Sequence, residues 1–490
     1  MQRRTFLQAA AASTASLVIL RHARAQATTA PPLFISIEAN QAWDTTTSID
    51  PHGNPAFSLY RAQDIQQVAG LRVAPFDVAG GQLGFRVRKL REGGADLVDF
   101  FGTYGAFVRV INGVDHRTVS HDIGPRHAFS GTLREGFPAL GALVAAVQGP
   151  NRPLAFLSTG GFDDTQGIVT LTRSGKQSLI RELARPNTSA GLSTNATFFT
   201  PGVDGLVQQA QLARDARRAS LLRTRGALSK SLRSHEALQV ARSAQDSFLE
   251  LANVLDASPA TNDANALIAA AGLVLAAMRS DPAACTSAHL SFGNFDTHSA
   301  HDDLATGHRS RMRDLLEGIG HLIEEIENNP QNQVLRDRGV LVYVSSDFGR
   351  TAYNGGEDDE GTRGKDHWPV TSAMLIGLGA MRARVGGGTA IGLTTPFIDG
   401  ALQPGLRAFP VRLDGAGNLV TGANVTDSGA DLFALTATEV NAALRQALRL
   451  DEEVAPAGSL KLVDRFTLPE VNPRFAAVLA EGRNPLLKDA

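Results

Sequence analysis

Apolar positions along the chain follow two periods that alternate. Short, mostly apolar runs rich in β-branched side chains predict buried strands, the first from Leu33 to Ile37, ending in the polar segment Glu38 to Asp50. The runs Gly105 to Ile111 and Leu154 to Leu157 have the same character, and each leads to a loop of Gly, Ser or His. Ser287 to Phe292 alternates like a strand, Gly339 to Val344 is the clearest buried run, and Ala373 to Ile376 predicts another. Between them the period lengthens. Asp263 to Arg279 keeps helical spacing, and Met312, Leu315, Leu316, Ile319, Leu322, Ile323 and Ile326 recur on one helical face. From about 205 to 257 the chain is Ala, Leu, Arg, Gln and Ser with hardly a turn signal, which predicts two or three long helices inserted between strands. Strands alternating with helices, each followed by a polar loop, predict a doubly wound α/β sheet with ligands at the carboxyl ends of its strands.

The composition, 490 residues with 43% hydrophobic and 20% charged, is that of a globular protein with a sizeable core. At about 150 residues per domain the length admits two or three domains, or one large α/β domain with an insertion. Residues 28–490 are read as the single domain. Cys285 is the only cysteine, so an intrachain disulfide and a cysteine-rich metal site are excluded, and any metal must sit on oxygen and nitrogen ligands. Placed after an Ala-rich segment, Cys285 itself reads as a buried small residue.

The N-terminus runs Gln2-Arg3-Arg4-Thr5-Phe6-Leu7-Gln8, then weakly apolar from Ala9 to Leu20, then Ala23-Arg24-Ala25-Gln26-Ala27. It resembles a twin-arginine export signal over residues 1–27, too short in its apolar part to cross a bilayer core of about 30 Å. The resemblance implies a periplasmic or secreted protein. No later run reaches about 18 apolar residues, so no membrane span is expected after cleavage. Loss of the four arginines in residues 1–25 moves the net charge from −2 to about −6, which leaves no electrostatic footprint for nucleic acid. Arg214, Arg217, Arg218 and Arg223 read as a solvated helix face.

Three polar clusters follow expected strands. Asp44 follows the first; Phe295-Asp296-Thr297-His298, with His301 beyond, follows Ser287 to Phe292; and Ser345-Ser346-Asp347-Phe348-Gly349-Arg350-Thr351 follows Gly339 to Val344, with Lys365-Asp366-His367-Trp368-Pro369 after it. Carboxylates and imidazoles converging from separate strand ends are a donor set for zinc, manganese or another divalent cation. Each Asp-x-His taken alone also fits a capping carboxylate beside a hydrogen-bonded histidine. Arg350 fits either an anion clamp or a salt bridge to Glu357, Asp358, Asp359 or Glu360.

In order and spacing these motifs resemble the bacterial family called domain of unknown function 1501, whose usual motifs are Gly-Trp-Asp-Thr-His, Ser-Glu-Phe-Gly-Arg-Thr and Gly-Arg-Asp-His-Trp. The specific match covers about 295 to 368; Leu33 to Asp44, Ser120-His121 and the segment Asp431 to Leu450 match loosely. The resemblance implies an alkaline phosphatase-like three-layer α/β/α sandwich of the sulfatase superfamily, with a metal site at the strand ends. Carried over, Asp44 matches a first-strand metal aspartate, Asp296 and His298 a ligand pair, Asp347 the acid after the central strand and His367 a late histidine. Ser120, in Thr118-Val119-Ser120-His121-Asp122, is the candidate nucleophile, with a helix N-cap as its alternative.

This sequence departs from the pattern in three places. Phe348 stands where active members of the wider superfamily usually carry a histidine, Asp347 replaces the family's more frequent glutamate, and Gln41-Ala42-Trp43-Asp44-Thr45 replaces a glycine-rich loop. The expectation is therefore an exported metal-dependent hydrolase of small-molecule phosphate or sulfate esters, or else a non-catalytic binding or assembly module for a co-exported protein.

Overall fold

Eight runs of extended chain assemble into one sheet: β1 (Leu33–Ala39), β2 (Val108–Asp115), β3 (Phe156–Ser158), β4 (Leu171–Arg173), β5 (Ser287–Phe292), β6 (Val340–Ser346), β7 (Val370–Leu378) and β8 (Thr389–Ile391). The computed structural model describes residues 30–488 except 54–59, 75–84, 90–95, 174–176, 227–230, 233–234, 236–247, 250, 254–262, 281–282, 304, 353–363, 398–404, 425 and 454–459. The export-signal segment 1–27 and much of the expected insertion at 205–257 lie outside the described residues. Residues Met1–Pro31 and Pro32–Ala490 form two units, and the fold that follows belongs to the second.

Across the sheet the strands run in the order β8-β2-β7-β6-β1-β5-β3-β4. The pairings are parallel except those of β7, which is antiparallel to both β2 and β6. Apolar periodicity carries no direction, and the connection explains the reversal. From the end of β6 the chain makes a two-residue hairpin, Gly349–Arg350 against His367–Trp368, and stays at the carboxyl end of the sheet. That pairing brings the chain back to the end it left, so the next strand runs antiparallel to β6.

Alternation along β1 and β6 divides the core in two. Leu33, Ile35 and Ile37 join Val340, Val342 and Val344 on one face, under α4 (Ala266–Arg279) and α5 (His308–Asn328). Phe34, Leu341 and Tyr343 face the other way, against α1 (Gly124–Ser130), α2 (Leu140–Gln148) and α6 (Ala437–Ala447). The helical face expected from Met312 to Ile326 is buried throughout, each such side chain contributing about 1.5–3 kcal/mol. α6 starts with a capping box, Thr436 with Glu439. The run expected as a strand from Gly105 begins three residues later. Gly105–Phe107 instead forms a 3₁₀ turn that closes the helix Phe100–Tyr104. Of the insertion, α3 (Pro201–Thr224) is a long helix as expected, and only Asp215 and Ala219 are buried on it.

Register sets the site. Ala39 pairs with Ser346 on one side and Phe292 on the other, so the loops after β1, β5 and β6 leave the sheet at one level. α1 closes over them at Gly124, where a Cβ would stand 2.6 Å from the Asp347 carbonyl oxygen. Gly124→Ala is expected to cost about 1–3 kcal/mol by overpacking, read as a lower urea midpoint; an unchanged midpoint would show that α1 has room to move.

Candidate metal centre

The loop after β1 makes an unusual turn, with φ of +70° at Gln41 and +64° at Ala42. Non-glycine residues in this region cost about 1–3 kcal/mol each and persist where the surroundings hold them. Here the surroundings are Asp347 and Arg350. Asp347 Oδ1 accepts from the Ala42 amide at 2.5 Å, the Ser346 hydroxyl at 2.8 Å and the Phe348 amide at 3.2 Å. Arg350 donates from Nε to the Ala42 carbonyl at 2.9 Å, from Nη1 to Lys365 O at 3.0 Å, and from Nη2 to Gln41 O and Phe295 O, both at 3.1 Å. The same Nη2 hydrogen-bonds Asp296.

Asp296 is thereby aimed at a group of histidines. Its Oδ1 lies 3.1 Å from His298 Nε2, 3.4 Å from His367 Nε2 and 3.8 Å from His121 Nε2. His367 Nε2 is in turn 3.2 Å from His121 Nε2 and 2.9 Å from His298 Nε2. Ligands about 2.0–2.1 Å from a tetrahedral zinc ion stand about 3.3 Å apart, and these separations bracket that value. Among the described residues, His121, Asp296 and His367 form one group able to hold an ion, and His298, Asp366 and His367 a second.

The outer nitrogens decide what the inner ones offer. His121 Nδ1 hydrogen-bonds Asp347 Oδ2 at 2.5 Å, and His367 Nδ1 hydrogen-bonds the Val119 carbonyl at 3.1 Å. A neutral ring that donates from Nδ1 turns a bare Nε2 lone pair inward, the arrangement imposed on metal-binding histidines by acceptors that take the outer N–H. Two such lone pairs at 3.2 Å repel unless a proton or a cation lies between them. The Asp347 hydrogen bond raises the His121 pKa above its ordinary value. Burial, and then the charge of Arg350, lowers that of His367. Burial opposes ionisation of Asp296, but the Arg350 hydrogen bond and charge outweigh it and hold the carboxyl below the usual range. Phe348, fully buried, packs 4.8 Å from both the His121 and His367 rings and fixes their planes.

Asp44 has gone elsewhere. Its Oδ2 meets Lys365 Nζ at 2.5 Å and His301 Nε2 at 3.1 Å, while Oδ1 accepts from the Thr46 amide and hydroxyl. Its own amide donates to His308 Nε2 at 2.7 Å. Burial resists the charge, yet Lys365 and His301 hold Asp44 well below the ordinary carboxylate pKa. Burial also lowers the pKa values of His301 and His308.

A family model described as a protein of unknown function, DUF1501, matches residues 60–403. The chain belongs to this family. No curated protein matches it. The DUF1501 match takes in His121, Asp296, His298, Asp347 and His367, and begins after β1 and Asp44.

In this DUF1501 protein the residues singled out from sequence separate into two groups. Asp296, His298 and His367 come together. Asp44 does not join them, because Lys365 and His301 already occupy its carboxylate. Asp347 stands behind His121 with both oxygens engaged, as an orienting carboxylate in place of a ligand. Arg350 has a fully buried side chain spent on backbone carbonyls and Asp296, so the anion clamp expected of it is not available; the acids Glu357 to Glu360 lie outside the described residues. Ser120 does not cap α1 with its side chain: its carbonyl accepts from Ile123 and Gly124, and its hydroxyl has no hydrogen-bond partner among the described residues. Cys285 is buried, its thiol pushed up to about 12 by desolvation. His121 was not among the expected ligands, although its place in the loop after β2 was visible, and Lys365 stood in the third polar cluster without an assigned role. Lys365→Met is expected to strand the buried Asp44 charge and cost about 3–5 kcal/mol, measured by urea denaturation. A loss below about 1 kcal/mol, the range of an exposed pair, would show that the pair is not the anchor described.

Proposed function

We propose that this chain is an exported metal-dependent hydrolase of phosphate or sulfate esters, with a zinc-preferring centre. One observation carries the proposal: the Nε2 atoms of His121 and His367 converge with Asp296 Oδ1 at the carboxyl end of the sheet. Imidazoles with one carboxylate suit zinc better than manganese. His121, Asp296 and His367 would form the fixed set, each braced from behind, and the half-exposed His298 an exchangeable fourth ligand. Helices on both faces of the sheet, with the cluster at its strand ends, support the alkaline phosphatase-like three-layer sandwich that the motifs resemble. Residues 1–27 support export by the twin-arginine route.

A divalent cation there supplies Lewis-acid polarisation of an ester oxygen and eases deprotonation of a hydroxyl nucleophile. The chain supplies the rest. Ser120, next to His121 with an uncommitted hydroxyl, is the nucleophile: its Oγ bonds to phosphorus or sulfur as the bond to the alcohol oxygen breaks, and the alcohol leaves with the proton. Water then cleaves the seryl ester and restores the hydroxyl. Arg350 holds Asp296 in its charged form throughout.

A non-catalytic assembly role is favoured by a different feature. α3 exposes the apolar side chains Val203, Leu206, Leu212 and Leu221, which a bound partner would cover.

Elemental analysis of protein purified without chelator tests the proposal. About one zinc per chain is expected in the wild type and none in His121→Ala or His367→Ala, while Ser120→Ala keeps the metal and loses cleavage of aryl phosphate and sulfate esters. Wild type that takes up no metal would contradict it, and a partner retained on α3 in the presence of chelator would support the assembly role. Changing Arg3 and Arg4 to lysine is expected to leave the protein in the cytoplasm; unimpaired export would remove the twin-arginine assignment.

A further inference from the structure

With Arg350 committed, a centre that takes phosphate or sulfate needs another cation for the ester's non-bridging oxygens. α5 carries three arginines in its first two turns. Arg309 lies over the Tyr60 ring, 5.6 Å from its centroid, and Arg313 pairs with Asp314 at 2.9 Å and bonds Ser310. Arg311 does neither. Its Nη1 is buried and has no hydrogen-bond partner among the described residues, an arrangement that is costly until an acceptor arrives.

The start of α5 is docked on the site. His308 accepts the Asp44 amide and packs 5.1 Å from the Phe295 ring, one residue before the ligand Asp296. Arg311 lies three residues along the helix from His308 and so shares its side of α5. The electrostatics agree with that placement. Burial lowers the Arg311 pKa, the Arg350 charge lowers it further and the Asp296 carboxylate raises it, so Arg311 lies within the field of the metal carboxylate and its clamp.

We infer that Arg311 is the anion-binding residue of this site, its guanidinium receiving the non-bridging oxygens of a tetrahedral phosphate or sulfate group held at His121, Asp296 and His367. The assignment rests on the metal-centre proposal above and names the residue that holds the oxyanion of its substrate. A guanidinium bonds two such oxygens at once, which a neutral acyl ester cannot match. It also gives an acceptor to a buried donor that has none among the described residues.

The test uses the zinc-loaded full chain without its export signal, with inorganic phosphate and inorganic sulfate as probes in calorimetric titrations. Arg311→Gln is expected to bind phosphate about tenfold or more weakly, the worth of a charge-assisted pair, with zinc content unchanged. Arg311→Lys, which keeps the charge and loses the fork, is expected to fall between Arg311→Gln and wild type and serves if Arg311→Gln does not fold. Phosphate binding that is the same in wild type, Arg311→Gln and Arg311→Lys would overturn the assignment and leave the metal proposal standing. Zinc-loaded wild type that binds neither anion would overturn it too. If the chain takes up no zinc, the metal proposal fails by itself. Phosphate binding that still depends on Arg311 would then uphold the clamp, and its absence would remove it.

Discussion

A single buried guanidinium gathers the carboxyl end of the sheet. Arg350 reaches four backbone carbonyls, from Gln41, Ala42, Phe295 and Lys365, and the side chain of Asp296. Those groups come from the loop after β1, the loop after β5 and the hairpin that follows β6. Buried carbonyls at strand ends need donors, and the loops have turned away from their own ladders. Lysine has three donors on one nitrogen and cannot reach this spread; the planar fork of arginine can. The left-handed turn at Gln41 and Ala42 is tolerable because Arg350 on one side and Asp347 on the other hold both of its faces.

Around that clamp, acids of similar sequence setting take different work from their neighbours. Asp44 and Asp347 both follow strands of the central sheet and both are fully buried. Lysine meets the first, so Asp44 becomes half of an ion pair that anchors the hairpin to the first loop. Histidine meets the second, so Asp347 orients His121 and leaves its inner nitrogen bare. Asp296, less buried and held by Arg350, remains charged and open towards the imidazoles. The pattern brings His121, Asp296 and His367 together with a hydrogen-bond partner behind each, and among the described residues Arg311 on α5 keeps a buried donor unpaired.

Much of this was legible in the residues. β1, β5 and β6 follow their apolar runs closely, α5 extends from the stripe Met312 to Ile326, and Asp296, His298 and His367 meet as their positions after strand ends implied. Other features depend on pairing between distant segments, which a linear pattern does not contain. The antiparallel course of β7 follows from the hairpin before it, and an apolar run reads alike in either direction. Arg350 looked free for an anion because its acceptors are backbone carbonyls, which every residue has. Asp44 looked like a ligand because Lys365, 321 positions away, carries no mark of its partner. His121 is tied to the cluster through its hydrogen bond to Asp347, 226 positions away, which the residues around Ser120 do not show.

X-ray absorption fine structure at the zinc edge, on zinc-loaded wild type and on Asp44→Asn, addresses the central claim most directly. A single zinc with nitrogen and oxygen neighbours at about 2.0–2.1 Å, imidazole scattering from at least two histidines, and the same spectrum in both proteins is the expected result. A second metal at about 3.5–4 Å, or a first shell that changes with Asp44→Asn, would contradict it by returning Asp44 to the metal and displacing Lys365 from the role assigned to it.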